Sequence, residues 1–183
     1  MTCPVIATER LRLREWRDPD VEAFIVMNAD PEVMQFFPET YTPERTLRFV
    51  ARIRECWAER GYGLWAVERV DTARFIGYVG LWPATFPANF TPAVEVGWRL
   101  AADQWGHGYA TEAARAALAY GFDSLGLEEI VSFTSRVNVR SWRVMERLGM
   151  RRDANGDFEH PNVPEGHPLR PHILYRIKRQ ADA

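Results

Sequence analysis

The sequence has few cysteines and no long apolar run. Its two cysteines, Cys3 and Cys56, are too few for a disulfide scaffold or a cysteine-rich zinc site. No stretch of about 18 apolar residues occurs, so no transmembrane helix is predicted. The segment 1–16 lacks the basic start and the apolar core of a signal peptide. These absences predict a cytoplasmic protein that has no membrane partner.

An excess of positive charge is also missing. The chain has 23 basic and 25 acidic residues, which gives a formal net charge of −2. A protein that holds nucleic acid by its phosphates needs a basic field, so direct binding of nucleic acid is not expected. No repeat or Gly/Ser-rich linker divides the 183 residues, and this length suits one domain over 1–183.

Hydrophobic periodicity predicts helices and strands in mixed order. Asp18-Pro19 and Thr42-Pro43 are typical of helix starts, with Asp18 and Thr42 as the caps. The segments 83–92 and 151–172 are expected to be loops. The mixed order favours an α+β (α/β layered) fold. Strands are predicted near 11–15, 62–70, 73–82, 93–100, 130–134 and 173–178, and further helices at 110–125 and 138–148.

The most informative segment lies between the strand at 93–100 and the helix that follows it. Gly106 and Gly108 stand one residue apart before that helix. Such a turn leaves main-chain N–H groups uncovered, and the helix start adds free donors and a positive dipole end, which suit a phosphate. Thr111 replaces the third glycine of a dinucleotide fingerprint, and no P-loop lysine follows. A tight turn that needs glycine only for its backbone is an equally good interpretation.

Two motifs at a typical separation carry a family resemblance. The run Trp105-Gly106-His107-Gly108-Tyr109-Ala110 stands where the GNAT superfamily of acyl-CoA-dependent N-acetyltransferases has Arg/Gln-x-x-Gly-x-Gly/Ala, with Trp105 in place of Arg/Gln. The run from Asn138 to Met150 is similar to the family's Asn-x-x-Ser…Glu-Lys-x-Gly-Phe segment, with Arg147 for Lys and Met150 for Phe. The first run also resembles the RimJ/RimL-like branch, which acetylates N-termini of ribosomal proteins.

The resemblance implies a GNAT fold, in which a mostly antiparallel central sheet splays apart between two parallel strands, here 93–100 and 128–134, and carries helices on both faces. It also implies acetyl-CoA as the acyl donor and no metal. The motif-bearing core is expected at about 8–150, and a C-terminal loop and strand at 151–179. The residues expected to bind the donor are Val96, Gly97, Trp98, Leu100, Trp105, Gly106, His107, Gly108, Tyr109, Ala110, Thr111, Asn138, Ser141 and Arg143.

Direct acetyl transfer needs a neutral amine and hydrogen-bond donors for the thioester oxygen and the leaving thiolate. Neither cysteine lies in a motif, so no acyl-enzyme is expected. Glu95 is the candidate catalytic base, because it leaves its strand on the face opposite to Val96, beside the position that the resemblance gives to the thioester. A surface or salt-bridged strand residue is the alternative interpretation, and Glu68 and Glu39 are weaker candidates.

The donor to the thiolate is a second catalytic role. Many GNAT enzymes use a tyrosine where this chain has Met145, so Ser141 is the candidate instead. Asn138 lies three residues earlier on the same helix face and is expected to bind the pantetheine arm or to cap the helix. Arg143 and Arg147 are expected to meet the phosphates of CoA or to lie on a solvated face.

Aromatic residues make up 13% of the chain and include seven tryptophans. Most are expected in the core, whereas those on loops are better candidates for an acceptor pocket. Phe36, Phe37, Trp82 and Phe86 are the residues expected to bind the substrate amine. The loop 158–172 carries three histidines at irregular spacing, which does not favour a metal site. We expect this loop to cap the pocket or to pack in a homodimer.

These observations favour an enzyme that moves an acetyl group from acetyl-CoA to a primary amine, on a protein N-terminus or on a small molecule. The alternative is a catalytically weak sensor or scaffold that binds acyl-CoA, which Met145 favours. Nucleotide binding at the glycine turn is a third interpretation, but the chain lacks an acidic ribose partner and any kinase motif.

Overall fold

The computed structural model describes residues 3–179, which form one eight-stranded sheet and four α-helices. Residues 1–2 and 180–183 of the predicted domain lie outside the described part. The α+β architecture expected from the sequence is confirmed. The elements are β1 (Ile6–Ala7), β2 (Leu11–Arg14), α1 (Asp18–Ala29), α2 (Pro43–Arg60), β3 (Leu64–Arg69), β4 (Phe75–Ala84), β5 (Ala93–Leu100), α3 (Tyr109–Ala119), β6 (Glu129–Ser135), α4 (Val139–Arg147), β7 (Arg151–Glu159) and β8 (Pro171–Lys178).

The sheet is open at its centre. Its strand order is β1-β2-β3-β4-β5-β6-β8-β7, and every neighbouring pair is antiparallel except β5 with β6. Strands β4 and β5 pair along their length, from Gly77 with Leu100 to Ala84 with Ala93. In contrast, β5 and β6 pair only at Glu95 and Val131. The two parallel strands therefore part beyond Glu95, and the edge of 96–100 that faces β6 has no ladder partner in the described part of the chain.

Helices cover both faces of this sheet. Phe24 of α1 and Phe49 of α2 pack on Tyr78 of β4, each with ring centroids 5.8 Å apart. On the other face, α3 and α4 lie side by side over β4, β5 and β6. A side chain on Gly121, in the helical turn after α3, would come within 2.6 Å of Ile130, so glycine permits this close approach. No helix in residues 3–179 is both long and apolar enough to cross a membrane.

The helix starts follow the sequence signals with one shift. Thr42 caps α2 as expected, because its hydroxyl accepts from the N–H of Arg45 at 3.2 Å. The cap of α1 is Arg17 rather than Asp18, which is already helical. The reason is Asp20, whose carboxylate accepts from the N–H of Arg17 at 2.7 Å and so closes the helix start one residue earlier.

Two segments expected to be loops are partly strand. Strand β4 continues to Ala84, with Pro83 opposite Val94. The segment 151–159 is β7, which pairs with β8 around an irregular register between Asp153 and Phe158. Turn-forming residues inside the irregularity hide this strand from sequence reasoning. The helix predicted at 110–125 is also shorter, since α3 ends at Ala119 and a π-helical turn covers Tyr120–Ser124.

Candidate active site

A cleft of about 2050 Å³ opens where β5 and β6 part. One end lies at the starts of α3 and α4 on one face of the sheet, and the other lies on the opposite face, at the loop 30–42 and α2. Pockets for drug-sized ligands typically measure about 300–1,000 Å³. The cleft therefore has room for one long ligand and a second molecule that meets it near β5.

The glycine turn forms the first end of the cleft. Gly106 and Gly108 adopt φ values of 80° and 81°, a region that favours glycine. Gly108 is the N-cap of α3, and no side chain of the described residues caps this helix. The first N–H groups of α3 therefore lack intrahelical partners. A Cβ on Gly106 would meet nothing within 4 Å, so the space in front of the turn is open to a ligand.

An ion pair fixes this turn from behind. Arg10 donates to the carbonyl of His107 at 2.9 Å and forms an ion pair with Glu112 of α3 at 2.6 Å. Thr8 also donates to Glu112, at 2.6 Å. Burial raises the pKa of Glu112, but the hydrogen bonds from Thr8 and Arg10 outweigh it and leave the pKa below its usual value. Sequence reasoning missed this anchor, because 102 residues separate Arg10 from Glu112.

Positive charge gathers at the same end. Arg115, Arg140, Arg143 and Arg147 line the cleft there. The guanidinium of Arg140 lies 4.6 Å from the centre of the Trp105 ring, a cation–π contact that holds it beside the turn. An uncapped helix start flanked by guanidinium groups is an environment that favours phosphate.

The start of α4 supplies the polar wall opposite β5. Asn138 caps this helix, because its Oδ1 accepts from the N–H of Ser141 at 3.2 Å, while its Nδ2 donates to Thr134 at 3.0 Å. Both Asn138 and Ser141 line the cleft. Met145 is 1% exposed and belongs to the core, so the position where many GNAT enzymes have tyrosine presents no hydroxyl.

Glu95 stands at the point where the sheet opens. It is the residue of β5 that pairs with Val131 of β6, and its half-buried side chain lines the cleft. Burial raises the pKa of Glu95 from 4.5 to about 8, and no charged or hydrogen-bonding partner lowers it. Among the described residues Glu95 has no ion-pair partner, so the salt-bridged half of the alternative interpretation has no support there. A carboxyl group with a pKa near neutrality is suited to exchange protons.

The two weaker candidate bases lie in different surroundings. Glu68 is 2% exposed and does not line the cleft. It is ion-paired with Arg14 at 2.8 Å and with Arg12 at 3.1 Å, so it has no access to a substrate. Glu39 does line the cleft, but it forms an ion pair with Arg45. Among the three glutamates considered, Glu95 alone combines access to the cleft with an unpaired carboxyl group.

Eighteen residues beside Glu95 were expected to bind the donor or the substrate amine or to act in catalysis; fourteen of them line the cleft, and four do not. The side chain of Val96 is fully buried in the core. The ring of His107 stacks on Tyr109 outside the cleft. The ring of Trp82 packs on Phe49, and Phe86 belongs to a separate aromatic cluster. Those that line it are Phe36, Phe37, Gly97, Trp98, Leu100, Trp105, Gly106, Gly108, Tyr109, Ala110, Thr111, Asn138, Ser141 and Arg143.

Two histidines complete the wall formed by β7 and β8. The rings of His160 and His172 lie 4.8 Å apart and line the cleft. Burial, helped by His172, lowers the pKa of His160 to about 4, and burial also lowers the pKa of His172. Both rings are therefore neutral at pH 7. Within residues 3–179, no group of three or more His, Cys, Asp or Glu side chains is arranged to hold a metal ion.

Comparison with known proteins identifies relatives of this chain. Residues 10–151 match the family model described as "Acetyltransferase (GNAT) domain". The chain is 31% identical to an uncharacterized N-acetyltransferase, YnaD of Bacillus subtilis, over 94% of this chain and 95% of that protein. It is 30% identical to an FsC-acetyl coenzyme A-N(2)-transacetylase of Aspergillus fumigatus, over 97% of this chain and 77% of that protein.

The fold is shared with a ribosomal-protein acetyltransferase. RimL, a ribosomal L7/L12 alpha-N-protein acetyltransferase solved in complex with coenzyme A, superposes with a TM-score of 0.78 over 98% of this chain and 100% of that chain. Sequence identity with RimL is 17%. The likeness confirms the expected fold, and it leaves the branch within the family undecided.

Proposed function

Because the chain belongs to the GNAT acetyltransferase family, we propose that it transfers an acetyl group from acetyl-CoA to a primary amine by direct attack. One observation carries the proposal: the uncapped start of α3 and the unpaired carboxyl of Glu95 border the same cleft, at the two ends of the open edge of β5. An anionic carrier of the acyl group that binds at the start of α3 would extend along 96–100 and place the acyl group beside Glu95.

In this proposal the N–H groups at Gly108–Thr111 hold the diphosphate, and the neighbouring arginines hold the remaining phosphate. The open edge of β5 offers main-chain groups to the pantetheine arm, and its N–H groups near residues 96–98 donate to the thioester oxygen. These donors would stabilise the charge that grows on that oxygen as the amine attacks.

Glu95 acts as the base. The amine nitrogen forms a bond to the acetyl carbon, the carbon–sulfur bond breaks, and the proton of the amine passes to the Glu95 carboxylate, directly or through a water molecule. The leaving thiolate accepts a hydrogen bond from Ser141, and the proton returns to it from solvent. A carboxyl group whose pKa is about 8 takes up this proton more readily than an ordinary glutamate.

The test is thiol release from acetyl-CoA with a panel of amines. One arm contains small molecules and the other contains peptides with free N-termini, including N-terminal peptides of ribosomal proteins. We expect release with at least one amine. Tight binding of CoA without turnover on any amine would favour the sensor or scaffold, which the buried Met145 supports.

The diphosphate site has its own test. Gly106→Val should weaken binding of CoA, measured by calorimetry, because a side chain there would occupy the open space in front of the free N–H groups. Gly126→Val is the matched control: Gly126 has a φ of 67°, lies outside the cleft, and its Cβ would also meet nothing within 4 Å. Equal affinity for CoA in the two folded variants would contradict the assignment.

A further inference from the structure

A second charged group of β5 faces the cleft, and the mechanism above does not use it. Arg99 lies four residues after Glu95 on the same face of the strand, and it lines the cleft although it is only 5% exposed. An arginine side chain stays charged in a protein. A buried cation is costly unless it is paired, so its partners indicate whether the site is complete.

Aromatic rings and one amide surround the guanidinium of Arg99. Its Cζ lies 4.1 Å from the centre of the Phe37 ring, 5.1 Å from that of Tyr41 and 5.5 Å from that of Tyr78. Its Nη1 donates to Oδ1 of Asn28 at 2.6 Å. These contacts fix the plane of the group and stabilise part of its charge, but none of them supplies an anion.

One edge of the guanidinium remains unused. The Nε atom is buried without a hydrogen-bond partner among the described residues, and the one hydrogen bond of the side chain engages Nη1. Nε and Nη2 form the edge that pairs with a carboxylate through two parallel hydrogen bonds. Because Nε is shielded from solvent, a neighbouring side chain must shift for both bonds to form.

The charged residues around Arg99 favour a negatively charged ligand. Arg48 and Arg52 of α2 line the same end of the cleft as Arg99. Glu39, which also lines this end, is already ion-paired with Arg45. The donor's phosphates are assigned to the glycine turn, at the starts of α3 and α4, whereas the side chain of Arg99 lies on the other face of the sheet, beside Tyr78. The charge at Arg99 is therefore left for the other substrate.

We propose that Arg99 binds a carboxylate of the amine that accepts the acetyl group. The inference rests on the proposed acetyl transfer at Glu95. The Cα atoms of Glu95 and Arg99 are about 13 Å apart, at roughly 3.3 Å per strand residue. The acceptor therefore carries its carboxylate several bonds from its amine, farther than in an α-amino acid. Such a carboxylate belongs to a small amino acid with a long spacer or to an acidic side chain near a peptide N-terminus.

The experiment compares acceptors that differ in one charge. Straight-chain ω-amino acids of increasing length are paired with their carboxamides, and peptides with Asp or Glu near a free N-terminus are paired with Asn or Gln peptides. For the best pair, we expect kcat/KM for the carboxylate to exceed that for the amide by about 10- to 100-fold, as for hydrogen bonds to a charged group. The two arms identify the source of the carboxylate.

Variants assign this preference to Arg99. Arg99→Met should reduce the ratio of carboxylate to carboxamide to about one, and Arg99→Lys should restore part of it, since lysine keeps the charge but not the two-donor edge. The control, Arg48→Met, removes a cation that lines the same cleft and should leave most of the ratio. Raising the salt concentration should affect the contribution of Arg48 more than that of buried Arg99. The ratio is internal to each variant, so a general loss of active protein does not change it.

The outcomes separate this inference from the proposed function. Turnover with equal rates for carboxylates and carboxamides in the unaltered protein would overturn the role of Arg99 and leave acetyl transfer standing. If no amine reacts, acetyl transfer fails, and calorimetry with the same ω-amino acids on the CoA-bound protein decides about Arg99. Binding that is lost in Arg99→Met supports the carboxylate site, and equal or absent binding in both proteins overturns it.

Discussion

Two arginines of the sheet are almost equally buried, yet their surroundings are opposite. Arg14 is 4% exposed and Arg99 is 5% exposed. Every guanidinium nitrogen of Arg14 has a carboxylate partner: Nη1 and Nη2 bind Asp20 at 2.6 and 2.9 Å, and Nε binds Glu68 at 2.8 Å. Within residues 3–179, the side chain of Arg99 has one hydrogen bond, to a neutral amide.

The same contrast holds for the glutamates. Glu68 is paired with several arginines away from the cleft, whereas Glu95 is unpaired and borders it. A charge neutralised inside the fold contributes to stability when its partner is present and costs several kcal/mol when the partner is removed. A charge that has no partner in the fold and borders a cleft can form its favourable interaction with a ligand instead. The difference therefore separates residues that hold the fold from residues available for binding and proton transfer.

The same substitution at both arginines should give the largest difference. Arg14→Met leaves Asp20 without its buried partner, so we expect the free energy of unfolding to fall by about 3–5 kcal/mol. Arg99→Met removes a cation without a carboxylate partner and deprives Asn28 of a donor, and the long apolar side chain of methionine keeps contacts with the rings, so we expect a loss of about 1 kcal/mol. Urea denaturation of the two variants measures both values. Equal losses would contradict the contrast.

Exchanging the unpaired carboxyl for an amide should affect the reaction instead of the fold. Glu95→Gln should lower turnover by about 10²- to 10⁴-fold, the range for loss of a general base, with little change in affinity for CoA. The control is Glu39→Gln, because Glu39 lines the same cleft but is ion-paired. Thiol release and calorimetry give the two readings, and wild-type turnover in Glu95→Gln would remove this residue from the mechanism.

The pH dependence of the rate should follow from the same group. Glu95 accepts a proton only when it is ionised, and burial raises its pKa to about 8. With an acceptor amine that is already neutral at pH 6, kcat/KM should therefore rise with pH and level off above about 8. The residual activity of Glu95→Gln should lack this rise. A flat profile in the unaltered protein would contradict the assignment.

The smallest expected effect is on the pH dependence of the free energy of unfolding. The folded protein holds the proton of Glu95 up to about pH 8, whereas the unfolded chain releases it near 4.5. Stability from this group is thus present below pH 4.5 and is lost as pH rises through about 8. His160 and His172 have lowered pKa values, so their contribution is lost on the acid side. Melting temperatures between about pH 7 and 8.5 should consequently fall more in the unaltered protein than in Glu95→Gln.

The sequence was sufficient to predict the glycine-turn end of the cleft, where the donor is proposed to bind. Local signals carry it, because Gly106 and Gly108 lie next to the helix that they start, and Asn138 lies next to the helix that it caps. Glu95 could also be chosen, since strand alternation gives its face. These features depend on neighbours in the chain, which a single sequence displays.

The other end of the cleft, where the acceptor is proposed to bind, depends on distant contacts, and the sequence predicted only part of it. Phe36 and Phe37 line the cleft, whereas Trp82 and Phe86 pack elsewhere. Arg99 was missed, because a polar residue at an alternating strand position has the pattern of a solvent-facing one. The residues that surround its guanidinium come from the loop 30–42, from α1 and from β4. Strand β7 was missed since Asn155-Gly156 has the composition of a turn.

Because β5 and β6 pair only at Glu95 and Val131, the boundary between them, here called the seam, is the weakest part of the sheet. A polar ligand that lies along the free edge of 96–100 would take the position of a strand between β5 and β6 and would connect the two halves of the sheet by hydrogen bonds. Hydrogen exchange at the amides on that edge should then slow when the seam is filled. The acetyl donor would therefore complete the sheet beside which the amine binds. An ordered reaction, in which the donor binds before the amine, would follow.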